Sequence, residues 1–195
     1  MAKNYTSIFD SPVWSFDTQL DNIKIKDYIL HLKENDKGRT ITNNGGWQSN
    51  NLHLQIPELK DFFFTISNLL NDCFIELDGK SNYKVSINDC WANVNNKGDF
   101  NWPHTHEGFL SIVYYVQADD DTGDLKFNHP SKLQQTQWQS WKWGEFNNST
   151  PIAHSWVFKP FTNRCYIFPS WLEHQVHVND TNKTRISVSL NSSII

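Results

Sequence analysis

Apolar positions along this chain change their period near residue 83. Before it, Leu20, Ile23, Tyr28, Ile29 and Leu32 recur near helical spacing, which predicts a helix from 18 to about 35, ended by Gly38. Pro57 opens a second predicted helix to about Leu77, with Phe62, Phe63, Ile66, Leu70 and Phe74 on a broad apolar face. Asn43-Asn44-Gly45-Gly46-Trp47 between them is turn chemistry, and residues 8–16 suit an opening strand. After residue 83 the period shortens to two. In 83–95, Val85, Ile87, Asp89 and Trp91 alternate with Lys84, Ser86, Asn88 and Cys90. The pattern predicts one long strand over 104–117, closed by the acidic turn Asp119 to Gly123. Short strands follow over 124–127, 154–159, 164–168, 174–179 and 185–190. Short strands with turn signals between them predict an antiparallel sandwich or barrel, braced from outside by the two helices. We expect one domain over 1–195, with support elements in 1–82 and a β core in 83–191.

Composition narrows the function classes. A net charge of −4 leaves no basic footprint for nucleic acid. There is no run of eighteen apolar residues and no signal-peptide pattern, so we expect a soluble, cytoplasmic protein without a membrane partner. Cys73, Cys90 and Cys165 are odd in number and scattered, which argues for buried thiols rather than a disulfide framework. Nine Trp and thirteen Phe suit a β-rich core and an aromatic surface. The segment 129–152 is long for a barrel connection and carries Trp138, Trp141 and Trp143. It is either a lid or a loop packed by its own aromatics, and Trp47 and Trp102 are candidates for the same rim.

The chemistry concentrates in two places. His104-Thr105-His106 puts two imidazoles on one face of a strand, where burial is costly unless something satisfies them. His174, far along the chain, can complete a three-imidazole set with open positions opposite. His177 has the opposite parity in that segment and is expected at the surface. His31, His53, His129 and His154 are isolated, and the plain reading of each is a core or surface residue. Eleven residues after His174 stands Arg185, whose planar fork suits a carboxylate; Ser187 faces the same way. Tyr114 shares parity with His104 and His106, so it is expected inside the barrel, as a hydroxyl donor or as core. Asn is disfavoured in mid-strand unless its amide has work, which singles out Asn93 and Asn95.

The stretches WANVNNKGDFNWPHTHEGFLSIVYYVQ (91–117), GDLKFNHP (123–130) and IFPSWLEHQVHVNDTNKTRISVSLN (167–191) resemble the 2-oxoglutarate/Fe(II) oxygenases related to prolyl hydroxylases. The resemblance implies a double-stranded β-helix (jelly-roll, cupin-like) barrel, mainly β with flanking helices. It implies a dioxygenase of hydroxylase type using Fe(II), 2-oxoglutarate and O2. The metal ligands would be His104, His106 and His174, with no catalytic side chain beyond the metal centre. Arg185 and Ser187 would hold the far carboxylate of 2-oxoglutarate, with Asn93, Asn95 and Tyr114 as further contacts. Most of that superfamily has Asp or Glu where this chain has His106. Glu107 is the alternative ligand if the strand bulges there. The substrate is expected to be a protein or peptide side chain or a small molecule, and both monomer and homo-oligomer stay open. Two other functions compete: a cupin-like three-His metalloenzyme without a keto acid, and a catalytically silent barrel serving as a binding module.

Overall fold

The computed structural model of the protein describes residues 10–80, 82–131 and 153–195. Two antiparallel sheets enclose a cavity. The larger is ordered β1 (Trp14–Asp17), β9 (Arg164–Pro169), β6 (Leu110–Gln117), β11 (Arg185–Ile194), β4 (Val85–Asn95) and β3 (Trp47–Gln48). The smaller is ordered β2 (Asn43–Asn44), β5 (Phe100–His104), β10 (His174–Val176), β7 (Leu125–Asn128) and β8 (Ser155–Phe158). Helix α1 (Asn22–Asn35) starts where the Asp21 carboxylate accepts from the Ile23 amide at 3.2 Å. Helix α2 (Lys60–Glu76) continues a 3₁₀ turn opened by Pro57. Among the described residues no helix is long and apolar enough to cross a membrane.

Both helices cover the outer face of the larger sheet. Ile29 from α1 and Ile66 and Leu70 from α2 share one core with Ala92, Val94, Val188 and Leu190. Burying a side chain of this size contributes about 1.5–3 kcal/mol. The strands then divide by parity. Along β11, Ile186, Val188 and Leu190 face that core, while Arg185, Ser187, Ser189 and Asn191 line the cavity. Along β4, which pairs with β11 in the register Arg185↔Asn95 and Ser187↔Asn93, Ala92 and Val94 face out and Trp91, Asn93 and Asn95 face in. A second core between the sheets, with Tyr115, Phe127, Tyr166, Phe168 and Leu172, closes one end of the barrel.

Several boundaries differ from the sequence reading. Residues 104–117 are not one strand: β5 ends at His104 and β6 begins at Leu110. The break is built around Gly108, at φ +113°, where an added Cβ would lie 2.6 Å from the Ser192 carbonyl oxygen. The His106 amide donates to Ser170 O at 2.9 Å and the Phe109 amide to Ser192 O at 2.6 Å, so the bend is held from both sides. Strand β11 runs on to Ile194, four residues past the expected end. Its last turn of sequence is too polar to look like a strand, yet Ser192 is buried there. Its hydroxyl donates to Leu110 O at 2.9 Å and accepts from Leu110 N at 3.3 Å, at the point where the pairing of β11 with β4 shifts register. The opening strand is confined to 14–17 among the described residues. Trp47 is not on a rim; it is buried in the helix-side core and its indole donates to Asp36 O at 2.9 Å. Trp102 is exposed and meets Phe100 edge-on. The lid expected over 129–152, with Trp138, Trp141 and Trp143, falls outside the described residues except at its edge.

Candidate active site

His104 ends β5 and His174 begins β10, and the two are direct cross-strand partners. Their ring centroids are 4.4 Å apart. His106, on the bend, brings its ring to 4.9 Å from His104 and 5.1 Å from His174. One nitrogen from each lies within 4.8 Å of the others, a spacing that a single metal ion can bridge. The sequence leaves this cluster without a carboxylate, and Glu107 lies exposed outside it.

Backbone carbonyls fix two of the rings. His104 Nδ1 lies 2.6 Å from Trp102 O, and His174 Nδ1 lies 2.9 Å from Leu172 O. A carbonyl only accepts, so each Nδ1 carries the hydrogen and each Nε2 keeps its lone pair for a cation. His106 packs its ring against Trp91 at 5.5 Å. Burial lowers the basicity of all three imidazoles, His106 to about 4 and His174 to about 3, with repulsion from His104 adding to the effect at those two. All three are therefore neutral near pH 7, as metal ligation requires. His177 sits apart and half-exposed, 4.0 Å from the Asp124 carboxylate.

These depressed basicities set the acid response of the metal-free protein. Unfolded imidazoles take up protons as pH falls through about 6.5, while the folded ones resist until about 4 and 3, so the unfolded state binds more protons in that window. Each fully shifted imidazole then removes up to about 1.4 kcal/mol per pH unit, and the partly exposed His106 less. Urea midpoints of metal-free protein are expected to hold above pH 7 and fall steadily from 6.5 towards 4. Alanine at His174 should flatten the fall; an unchanged slope would contradict the neutral buried imidazole.

The other end of the cavity is built around Arg185, which is 1% exposed. Its Nη1 donates to Thr122 O at 2.5 Å and Gly123 O at 3.0 Å. Gly123, at φ +99°, makes that approach possible, because an added Cβ would sit 2.5 Å from Nη1. Among the described residues no carboxylate pairs with Arg185. Burial pulls its basicity below the ordinary arginine value, but a guanidinium stays charged. The result is a buried cation that no described carboxylate touches, with Asp99 acting on it only from a distance, in the same cavity of about 280 Å³ as the three imidazoles.

Ser187, Asn93 and Asn95 line that cavity beside Arg185, and the Asn93 amide donates to Ser189 Oγ at 3.2 Å. Tyr114 does not line it. Its ring packs against Phe62 of α2, and its hydroxyl lies 2.6 Å from Asn22 Oδ1 and 2.9 Å from Asn163 Oδ1. The cavity side belongs to Tyr115, whose buried hydroxyl has no hydrogen-bond partner. Parity counted from His106 picks the wrong tyrosine because the bend at Gly108 resets the alternation. No local signal separates Tyr115 from Tyr114, because the bend that resets the alternation is set by the distant Ser192 carbonyl.

The sequence profile of the family described as "Putative 2OG-Fe(II) oxygenase" matches residues 89–191. No curated protein matches the chain. Among solved structures, the fold is similar to a prolyl-4-hydroxylase of Pseudomonas putida, at 13% identity and TM-score 0.61 over 93% of this chain and 91% of that one. It is similar to HygX of Streptomyces hygroscopicus, solved with nickel and 2-oxoglutarate, at 9% identity and TM-score 0.61 over 94% and 83%. It is similar to a prolyl hydroxylase of Trichoplax adhaerens, solved with a peptide fragment of hypoxia inducible factor, at 12% identity and TM-score 0.64 over 93% and 83%. At these identities the likeness is one of fold, the double-stranded β-helix. The matched stretch covers more than half of the sequence and contains all three clustered histidines and Arg185, and the chain belongs to this family of Fe(II)- and 2-oxoglutarate-using oxygenases.

Proposed function

We propose that the chain is a 2-oxoglutarate- and Fe(II)-dependent hydroxylase of a protein or peptide side chain or a small molecule. In this reading His104, His106 and His174 hold the iron. Arg185, Ser187 and Tyr115 hold the far carboxylate of the cosubstrate, with Asn93 and Asn95 beside it. The observation that carries the reading is the unpaired Arg185 guanidinium sharing a cavity with three neutral imidazoles. A plain three-His metalloenzyme has no use for that cation, and a silent barrel would leave it a burial cost without return. The donor set also fits in charge. Three neutral ligands leave the ion at about +2, and a dicarboxylate brings −2 to the space between it and Arg185.

When bound, the iron and keto acid turn O2 and a C–H bond into an alcohol, with succinate and CO2 as coproducts. The chain's own part is positioning. Arg185 and the Tyr115 hydroxyl fix one end of the cosubstrate, and the paired carbonyls behind Nη1 keep the guanidinium from turning away. Phe127 and Phe168 pack against His174 and keep water from its far side. The deciding experiment is anaerobic addition of Fe(II) and 2-oxoglutarate. The visible charge-transfer band of a keto acid chelated to iron is expected. Iron binding without that band would favour the cupin-like alternative, and no iron binding the silent barrel.

The two tyrosines give an internal contrast. Tyr115→Phe removes a buried hydroxyl that has no partner, so the metal-free protein should gain about 1 kcal/mol, while 2-oxoglutarate affinity falls roughly 10-fold. Tyr114→Phe breaks bonds to α1 and the 163 turn, so stability should fall by about 1 kcal/mol with affinity unchanged. Thermal unfolding and calorimetry read both; the opposite assignment of effects would return the cosubstrate role to Tyr114.

A further inference from the structure

The cavity holds a second arginine that the cosubstrate does not need. Arg39 lines it on the side of Trp91, from the loop between α1 and β2. Its guanidinium carbon lies 5.8 Å from the Trp91 ring centroid, and Trp91 in turn packs on His106. Among the described residues no carboxylate pairs with Arg39, and its Nε is buried without a hydrogen-bond partner. The backbone holds the residue in place through Arg39 N to Gln48 O at 2.8 Å. At that distance the indole face attracts the cation without neutralising it, which leaves the guanidinium fork available to a planar anion.

We propose that Arg39 reads a carboxylate on the primary substrate and so sets which C–H bond faces the metal. This rests on the reading of the cavity as the oxygenase active site. Arg185 lies beside Asn95 at one end of β4, and Arg39 lies at Trp91, beside His106. One cation therefore serves the cosubstrate and the other the substrate. At about 280 Å³ the cavity is near the lower end of small-ligand sites, which run from about 300 Å³. It must take the cosubstrate and one acidic substituent of the substrate rather than a whole large molecule. The acid is either a small molecule's own carboxylate or an acidic side chain of a peptide.

The test uses the full chain loaded with Co(II) and saturating 2-oxoglutarate. The probe is trifluoroacetate, read by fluorine relaxation, with trifluoroethanol as the uncharged control. The paramagnetic ion should speed relaxation of trifluoroacetate in the wild type and leave trifluoroethanol nearly untouched. Arg39→Gln should weaken trifluoroacetate binding by at least about 10-fold, and Arg39→Lys should recover part of it. Circular dichroism and the Co(II) spectrum should be unchanged in both variants. N-acetylalanine displacing the probe marks a small-molecule acid, and acetyl-glutamate amide displacing it marks an acidic side chain. Equal relaxation in wild type and Arg39→Gln, equal response of both probes, or displacement by neither acid overturns the proposal. Failure of the active-site reading shows separately, as a Co(II) spectrum insensitive to 2-oxoglutarate. In that case line broadening of trifluoroacetate in the metal-free Arg185→Gln protein decides the role of Arg39, again by whether the broadening depends on that residue.

Discussion

His174→Ala is expected to lower Fe(II) affinity by more than about 100-fold, since even partners one step behind a ligand are worth about 10- to 100-fold. His174 is the most deeply buried of the three imidazoles and the one whose ring is held on several sides. Phe127, Phe168 and His104 contact the ring, and Leu172 O fixes Nδ1. No other described His, Cys, Asp or Glu joins the group, so nothing nearby can replace it. His177→Ala is the matched control and should leave affinity intact, because His177 sits at the surface by Asp124. Metal titration followed by calorimetry separates the two variants. His106→Asp should retain iron, since a carboxylate at that position adds a negative charge toward a divalent cation. Loss in His177→Ala with retention in His174→Ala would overturn the ligand assignment.

Arg185→Ala is expected to weaken 2-oxoglutarate binding by about 10- to 150-fold, the equivalent of roughly 1.5–3 kcal/mol for hydrogen bonds to a charged group. The metal-free protein should not unfold as a result. The variant removes an unpaired buried charge, so the usual cost of breaking a buried pair does not arise. The Thr122 and Gly123 carbonyls lose a donor, which water entering the cavity can replace. Arg185→Lys keeps the charge and loses the fork, so it should rescue only in part. Iron affinity without cosubstrate should barely move. Equal 2-oxoglutarate affinity in wild type and Arg185→Ala, measured with an inert divalent ion in place of iron, would sink the oxygenase reading of this cavity.

The parts of this arrangement visible in the sequence are those that obey a short period. His104 and His106 are visible as a pair, although a bend, not strand alternation, brings their rings together. Arg185 with Ser187 shows because strands alternate and because few polar residues interrupt an apolar strand without cause. Asn93 and Asn95 are cavity-lining for the same reason. What the sequence hides is where the period restarts. The bend at Gly108 depends on the Ser192 carbonyl, 84 residues away, and no local pattern carries that contact. The error at Tyr114 follows from it directly. Trp47 misled for a related reason: its indole is satisfied by Asp36 O, and its burial depends on a helix end eleven residues before it. Arg39 had no signal at all, being a single cation in a turn-rich stretch; its place in the cavity, its unpartnered Nε and its approach to Trp91 mark it only in the structure.

The cross-strand pairing of His104 with His174 has a consequence for how the centre changes over evolutionary time. Those two residues are placed by the backbone ladder of the smaller sheet, so the strands set their spacing, and exchanging either side chain leaves the ladder's hydrogen bonds in place. His106 lies past the end of its strand, tied in by one amide bond to Ser170 O. Its ring packs against Trp91 and His104, so exchanging that side chain changes contacts within the site and leaves the ladders of both sheets intact. In the proposed function two donors are thus placed by strand pairing and the third by a bend, and the charge around the ion is adjustable at the bend.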